Sequence, residues 1–89
     1  MTVPFVLEPM SLDLLPRGAR ARIAAIAWDD LDDASARRLK QFGFDEGVAV
    51  EFLHSGPFGR DPLAVRVGRM TVAIRRAHAR VVQVTTEAA

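Results

Sequence analysis

Arg37 to Phe52, RRLKQFGFDEGVAVEF, decides the fold. Leu39 and Phe42 stand three apart and share one face of a helix, while Arg37, Arg38, Lys40 and Gln41 fall mostly on the others. Basic residues in a last turn suit the negative end of the helix dipole. Gly43 supplies the left-handed residue that commonly ends a helix, and Phe44 just beyond it can fold back on the last turn. Gly47 opens a tight turn. Val48, Val50 and Phe52 then alternate with Ala49, Glu51 and Leu53 as in a strand. A helix that stops on Gly and hands over to a strand is the joint of a compact, mostly β domain.

Eighty-nine residues allow one domain. An apolar content of 49% excludes disorder. The absence of Cys excludes a disulfide framework, a thiol nucleophile and a Cys-based zinc site, and fits a reducing cytoplasm. No apolar run approaches the roughly 18–20 residues of a membrane span. The opening MTVPFVLEPM has no Lys or Arg and carries Pro4, Glu8 and Pro9, so it does not read as a secretory signal. A net charge of +1 gives no global argument for nucleic acid. The charge is uneven, with an acidic knot at Asp29, Asp30, Asp32 and Asp33 and a later basic stretch holding Arg60, Arg66, Arg69, Arg75, Arg76 and Arg80.

Around the opening joint the chain parses without linker or repeat. Residues 1–9 read as an extension, because two prolines forbid a helix there. The domain begins at Met10, with a Leu-rich segment and a Pro16-Arg17-Gly18 turn. Arg20 to Ile26 reads as a strand with Ala21 and Ile23 facing in, and a bulge is expected because Ile23 and Ile26 differ in parity. Asp32 or Asp33 caps a helix from about Ala34 to Phe42. The next strand runs from Val48 to about His54, and Ser55 to Pro62 is a loop by composition. Leu63–Val67 and Met70–Ile74 alternate around Gly68-Arg69, the right size for a tight hairpin. Ala77–Arg80 is a helical turn, Val82 and Val84 belong to a last strand, and the tail TTEAA should fray, with residues 86–89 outside the domain. The sum is a small five-stranded barrel with one short helix after the first strand.

The order and spacing of several pieces resemble the FeoA family, small cytosolic proteins of bacterial ferrous iron uptake. These pieces are the Leu-rich opening with Gly18, Ala21-Arg22-Ile23, Arg38-Leu39 before Gly43-Phe44, Gly47-Val48, Pro57-Phe58-Gly59 with Asp61-Pro62-Leu63, and Val72-Ala73-Ile74-Arg75-Arg76 with Ala79, Val82 and Val84. The likeness covers Leu12 to Val84. Glu46 stands where the family commonly has Pro, and Arg60 interrupts the usual Gly-Asp-Pro. The resemblance implies an SH3-like barrel that works with the FeoB-type membrane transporter through its cytosolic GTPase region.

The chemistry in the residues is sparse. Ser11, Ser35 and Ser55 have only His54 and His78 as bases, and His54 adjoins Ser55 on a strand, where neighbours point apart, so no catalytic site is expected. GPFGRDP is not a phosphate loop, since no Gly-Lys-Ser/Thr follows. The two histidines read first as solvated or partly packed. A surface metal site joining His54 or His78 with Glu51, Asp45 or Glu46 is the weaker reading, and no cofactor is required, only an adventitious or bridging divalent metal at most. The hairpin arginines are either a solvated face or a basic patch for an acidic protein. Without interleaved aromatics they do not suit nucleic acid. Trp28 is either an exposed anchor or a cover for the barrel mouth.

Three functional classes follow. The first is a non-enzymatic accessory of the ferrous iron transporter, with contact surfaces on the helix face (Arg37, Arg38, Gln41) and around Phe58 and Arg60. The second is a metal-linked regulatory module, because the same SH3-like fold ends iron-dependent repressors. The third is a nucleic-acid-binding barrel. The apolar extension and open sheet edges offer routes to a homodimer without demanding one.

Overall fold

In a computed structural model, which describes residues 9–86, every strand pairs antiparallel with its neighbours. The elements are β1 (Met10–Ser11), a 3-10 turn over Leu12–Leu14, β2 (Arg20–Ile26), a second 3-10 turn over Trp28–Asp30, α1 (Asp33–Gln41), β3 (Ala49–Phe58), β4 (Asp61–Val67), β5 (Met70–Ile74), α2 (Arg76–Ala79) and β6 (Val82–Thr86). Their order across the sheet is β1-β6-β2-β3-β4-β5. The expectation of five strands in a closed barrel is therefore corrected to a six-stranded sheet. Its extra strand is two residues long, too short to leave a periodic signal. Among the described residues no ladder joins β1 to β5. The sheet still wraps one core, since Val72 and Ile74 at one end share a cluster with Leu12, Val82 and Val84 at the other.

The opening joint folds as its residues dictate. The Phe44 amide donates to the Leu39 carbonyl and the Gly43 amide to the Lys40 carbonyl, both at 3.0–3.1 Å. With Gly43 at φ +92° this is the Schellman arrangement. It turns the chain so that Phe44 and Leu39, each 1–2% exposed, enter the core together. Phe42, on the helix face of Leu39, and Phe52, in phase with Val50, are half-buried and pack on the core's margin. The predicted bulge in β2 is present between Ile23 and Ala25 and brings both Ile23 and Ile26 inside.

At the start of α1 the Asp32 carboxylate accepts a hydrogen bond from the Ser35 amide at 2.6 Å. That bond, with a further one from the Ser35 side chain, holds the Asp32 carboxyl below the ordinary aspartate value. A lowered carboxyl stabilises the fold above the ordinary value of about 3.9, and the contribution is lost as pH falls through the lowered one. The thermal midpoint of the protein should therefore fall on acidification below about pH 4 more steeply than that of Asp32→Asn, whose cap carries no titrating group. Melting curves between neutral and acid pH read the difference.

One expected loop and the start of the expected fraying tail are strand. β3 continues through Ser55 to Phe58, and Phe58 pairs with Asp61. The connection is only Gly59-Arg60, both with positive φ (64° and 62°), the pattern of a type I′ hairpin turn. Gly56 and Pro57 fall where the register shifts between Ser55 and Phe58, so the residue without an amide donor sits in a bulge. The tail expected to fray from Thr85 is paired through Thr86, opposite Arg22 and Ala21 of β2. Residues 1–8 and 87–89, where most of the expected extension and tail fall, lie outside the described residues. No helix among the described residues is long and apolar enough to cross a membrane.

Candidate partner-binding surface

Two grooves flank the β3–β4 hairpin. The larger, about 710 Å³, lies between the 3-10 turn at Leu12–Leu14 and β3, lined among others by Leu14, Arg17, Phe52, His54, Arg60 and Arg76. Leu14 is 66% exposed, the most open large apolar side chain described. Its neighbours Leu12 and Leu15 are buried, because a three-residue turn cannot hide every leucine it carries.

A charged knot fixes this groove. Asp13 Oδ2 lies 3.8 Å from both Arg76 Nη1 and Arg80 Nε. Asp13 Oδ1 is buried and accepts no hydrogen bond, so the two guanidiniums are what balance the carboxylate. Arg76 Nη2 donates to the Arg60 carbonyl at 3.1 Å, and the Arg76 amide donates to Asp61 Oδ1 at 3.1 Å. The start of α2 thus ties the 3-10 turn to the hairpin tip. Arg60 itself carries a left-handed backbone where Gly would sit at lower cost, and its side chain is exposed. Sequence reasoning missed this knot. Its signal was present: Arg76 and Arg80 are four apart and share a helical face, and Asp13 is the one acid inside an apolar segment.

The smaller groove, about 280 Å³, lies between the end of α1 and β5. It is lined by Arg38, Phe42, Pro62, Ala73, Ile74, Arg75 and His78. The Arg38 guanidinium stands over the Phe42 ring at 5.7 Å. Arg37, Arg38 and Gln41 are exposed, as a helix-face contact requires. Arg38 and Arg60 open onto different grooves, so the two expected contact patches are separate surfaces. The Phe58 side chain lies outside the described set.

The metal candidates are dispersed. His54 lines the larger groove and His78 the smaller one. Glu51 lines a third recess, where it pairs with Arg20 at 3.6 Å. Asp45 lies beside Trp28 and Lys40, and the Asp45 carboxylate accepts from the Glu46 amide at 2.8 Å. Among the described residues no three His, Cys, Asp or Glu side chains gather to hold a metal ion. Trp28 is half-buried against the core with Lys40 Nζ 5.0 Å from its ring, the covering arrangement rather than the exposed anchor.

A family model described as the FeoA domain matches residues 10–86, from the first described strand to the last. The chain belongs to the FeoA family. The FeoA of Stenotrophomonas maltophilia, solved with zinc, is 36% identical over 88% of this chain and 95% of its own, with a TM-score of 0.73. That protein is described as a prokaryotic SH3 domain protein and put forward as a ferrous iron transport activating factor. The FeoA of Chlorobium tepidum is 32% identical over 89% of this chain and 71% of its own, with a TM-score of 0.77. The SH3-like expectation for the fold therefore holds. The IdeR of T. acidophilum matches at 20% identity and a TM-score of 0.76, with this chain spanning 37% of its length, a likeness of fold alone. Among curated proteins no sequence matches the chain.

Proposed function

We propose that this FeoA-family protein is a non-enzymatic, cytoplasmic accessory of bacterial ferrous iron uptake that binds the cytosolic GTPase region of a FeoB-type transporter. The family match over the whole described fold carries this reading. Two features of the surface support it. The exposed arginines of α1 and the Leu14–Arg60 groove are the combination of charge and open apolar surface that a protein partner engages. The reading requires no cofactor.

Titration of the protein with the transporter's GTPase region tests it, with GDP and with a GTP analogue, with and without Fe(II). The expected result is saturable binding that depends on the nucleotide. Reversing charge at Arg37, Arg38 and Arg60 to Glu, with Gln41→Glu added, should weaken it by roughly tenfold or more. Binding that is absent throughout, or indifferent to these changes, removes the reading. The likeness to metal-dependent repressors, being of fold alone, leaves the regulatory alternative resting on a direct test: Fe(II) or Mn(II) binding by titration calorimetry.

A further inference from the structure

Among the described residues β5 is the last strand of the sheet and has a neighbour on one side only. The phase of its hydrogen bonds follows from its turn. Gly68 has φ +58° and Arg69 is not among the residues with positive φ, the pattern of a type II′ two-residue hairpin. Val67 and Met70 close that turn as partners. The Gly68 amide donates back to the Ala49 carbonyl of β3. In β4 the polar groups of Val67, Val65 and Leu63 therefore face β5, where they meet Met70, Val72 and Ile74. The amides and carbonyls of Thr71 and Ala73 face the other way, out from the open edge. Among the described residues neither makes a backbone bond outside the sheet.

The side chains at this edge are sorted. Arg69, Thr71, Ala73 and Arg75 are exposed and share one parity, while Val72 and Ile74 are buried. Arg69 and Arg75 bracket the strand, and neither has an ion pair among the described residues. On the core side the edge opens onto the smaller groove, where Phe42, Pro62 and Ile74 supply apolar lining beside His78, with Arg38 and Arg75 also lining it.

We propose that the edge of β5 is a docking site for an extended segment of a partner protein that is acidic on one face and apolar on the other, added as a further antiparallel strand. The backbone of the segment would pair with Thr71 and Ala73. Its apolar side chains would continue the row of Val72 and Ile74 into the recess beside Phe42. Its carboxylates would stand opposite Arg69 and Arg75. A second copy of this chain fits badly, because a two-fold β5–β5 pairing centred on Val72 sets Arg69 against Arg75 at both ends. Nucleic acid fits badly because the recess offers one aromatic ring, already covered by Arg38. The inference goes beyond the transporter reading and holds whichever protein supplies the segment.

The test uses the full chain and two blocked peptides, Glu-Ile-Thr-Val-Thr-Leu-Glu and the same sequence with Lys at both ends. Amide hydrogen exchange is followed by NMR. In the free protein the Thr71 and Ala73 amides should exchange fast. The acidic peptide should slow them by roughly tenfold or more and should bind about tenfold more tightly than the basic one. Arg69→Glu combined with Arg75→Glu changes two exposed side chains and should invert the preference. Ala73→Pro removes one outward amide without touching the β4 ladder and should abolish binding of either peptide. If neither peptide slows these amides, the proposal fails. It also fails if both peptides act equally, or if protection grows with protein concentration alone, which would give the edge to a second copy.

Discussion

Phe44→Ala melts about 15–30 °C below the parent protein and unfolds with a correspondingly lower urea midpoint. Phe44 is among the largest fully buried side chains, 2% exposed. Removing a buried Phe costs about 3–5 kcal/mol in lost transfer energy and residual cavity. Set against a total stability of about 5–15 kcal/mol, that is a large share. A domain of this size loses about 4–8 °C of midpoint per kcal/mol. The position makes collapse of the cavity difficult. Phe44 is pinned by its own amide, bonded to Leu39, at the end of α1. It cannot be replaced by a neighbour sliding inward without undoing the helix stop. Phe44→Leu, which keeps most of the volume, should recover most of the loss. Equal melting of Phe44→Ala and the parent would show that the joint does not hold the core.

Gly56→Ala is the second large effect, and it is steric. Gly56 is not left-handed, so its backbone would accept alanine. The added Cβ, however, would stand 2.5 Å from the Asp61 carbonyl oxygen, 2.9 Å from the Asp61 carbonyl carbon and 3.0 Å from Pro62 Cδ. The two closest of these are backbone atoms and cannot swing aside. The hairpin must open, and opening it pulls Asp61 away from the Arg76 amide at the start of α2. Overpacking of this kind costs about 1–3 kcal/mol or more. The comparison is Gly59→Ala, at φ +64° with nothing within 4 Å of its added Cβ. There the cost is the strained backbone alone, about 1 kcal/mol. A larger fall in melting temperature for Gly56→Ala, with loss of exchange protection along β3 and β4, is the expected result. The reverse ranking would mean that the close approach at Gly56 relaxes at little cost.

Legibility in the sequence followed the strength of local chemistry. The helix stop at Gly43, the bulge in β2, a cap at Asp32 or Asp33 and the β4–β5 turn were readable because each depends on a few adjacent residues. Parity alone required the bulge, since Ile23 and Ile26 cannot both face inward on a regular strand. What misled was composition. Gly56, Pro57 and Gly59 read as a loop, yet the hairpin absorbs the first two in a bulge and uses the third in its turn. β1 was unreadable because its two residues are held by β6, far along the chain, with Met10 opposite Val84. The knot at the larger groove left a partial signal in the spacing of Arg76 and Arg80, but that Asp13, Arg60 and Arg76 meet there depends on the wrapping of the sheet. The arginines of α1 were placed correctly on an exposed face, because helix periodicity is local. That they and Arg60 open onto different grooves depends on the packing of α2.

The strand order has a bearing on how the molecule is made. β6, the last strand of the fold, lies between the first two, β1 and β2. A ribosome delivers β2, β3, β4 and β5 as a hairpin-rich partial sheet with one flank bare. Val82 and Val84, both fully buried in the finished domain, follow all the other strands to fill that slot. Until residues 82–86 clear the exit tunnel, Ile23 and Ile26 of β2 lack the partners that bury them. The nascent domain therefore carries an exposed apolar strand edge until β6 emerges, and it closes only once that final strand is available.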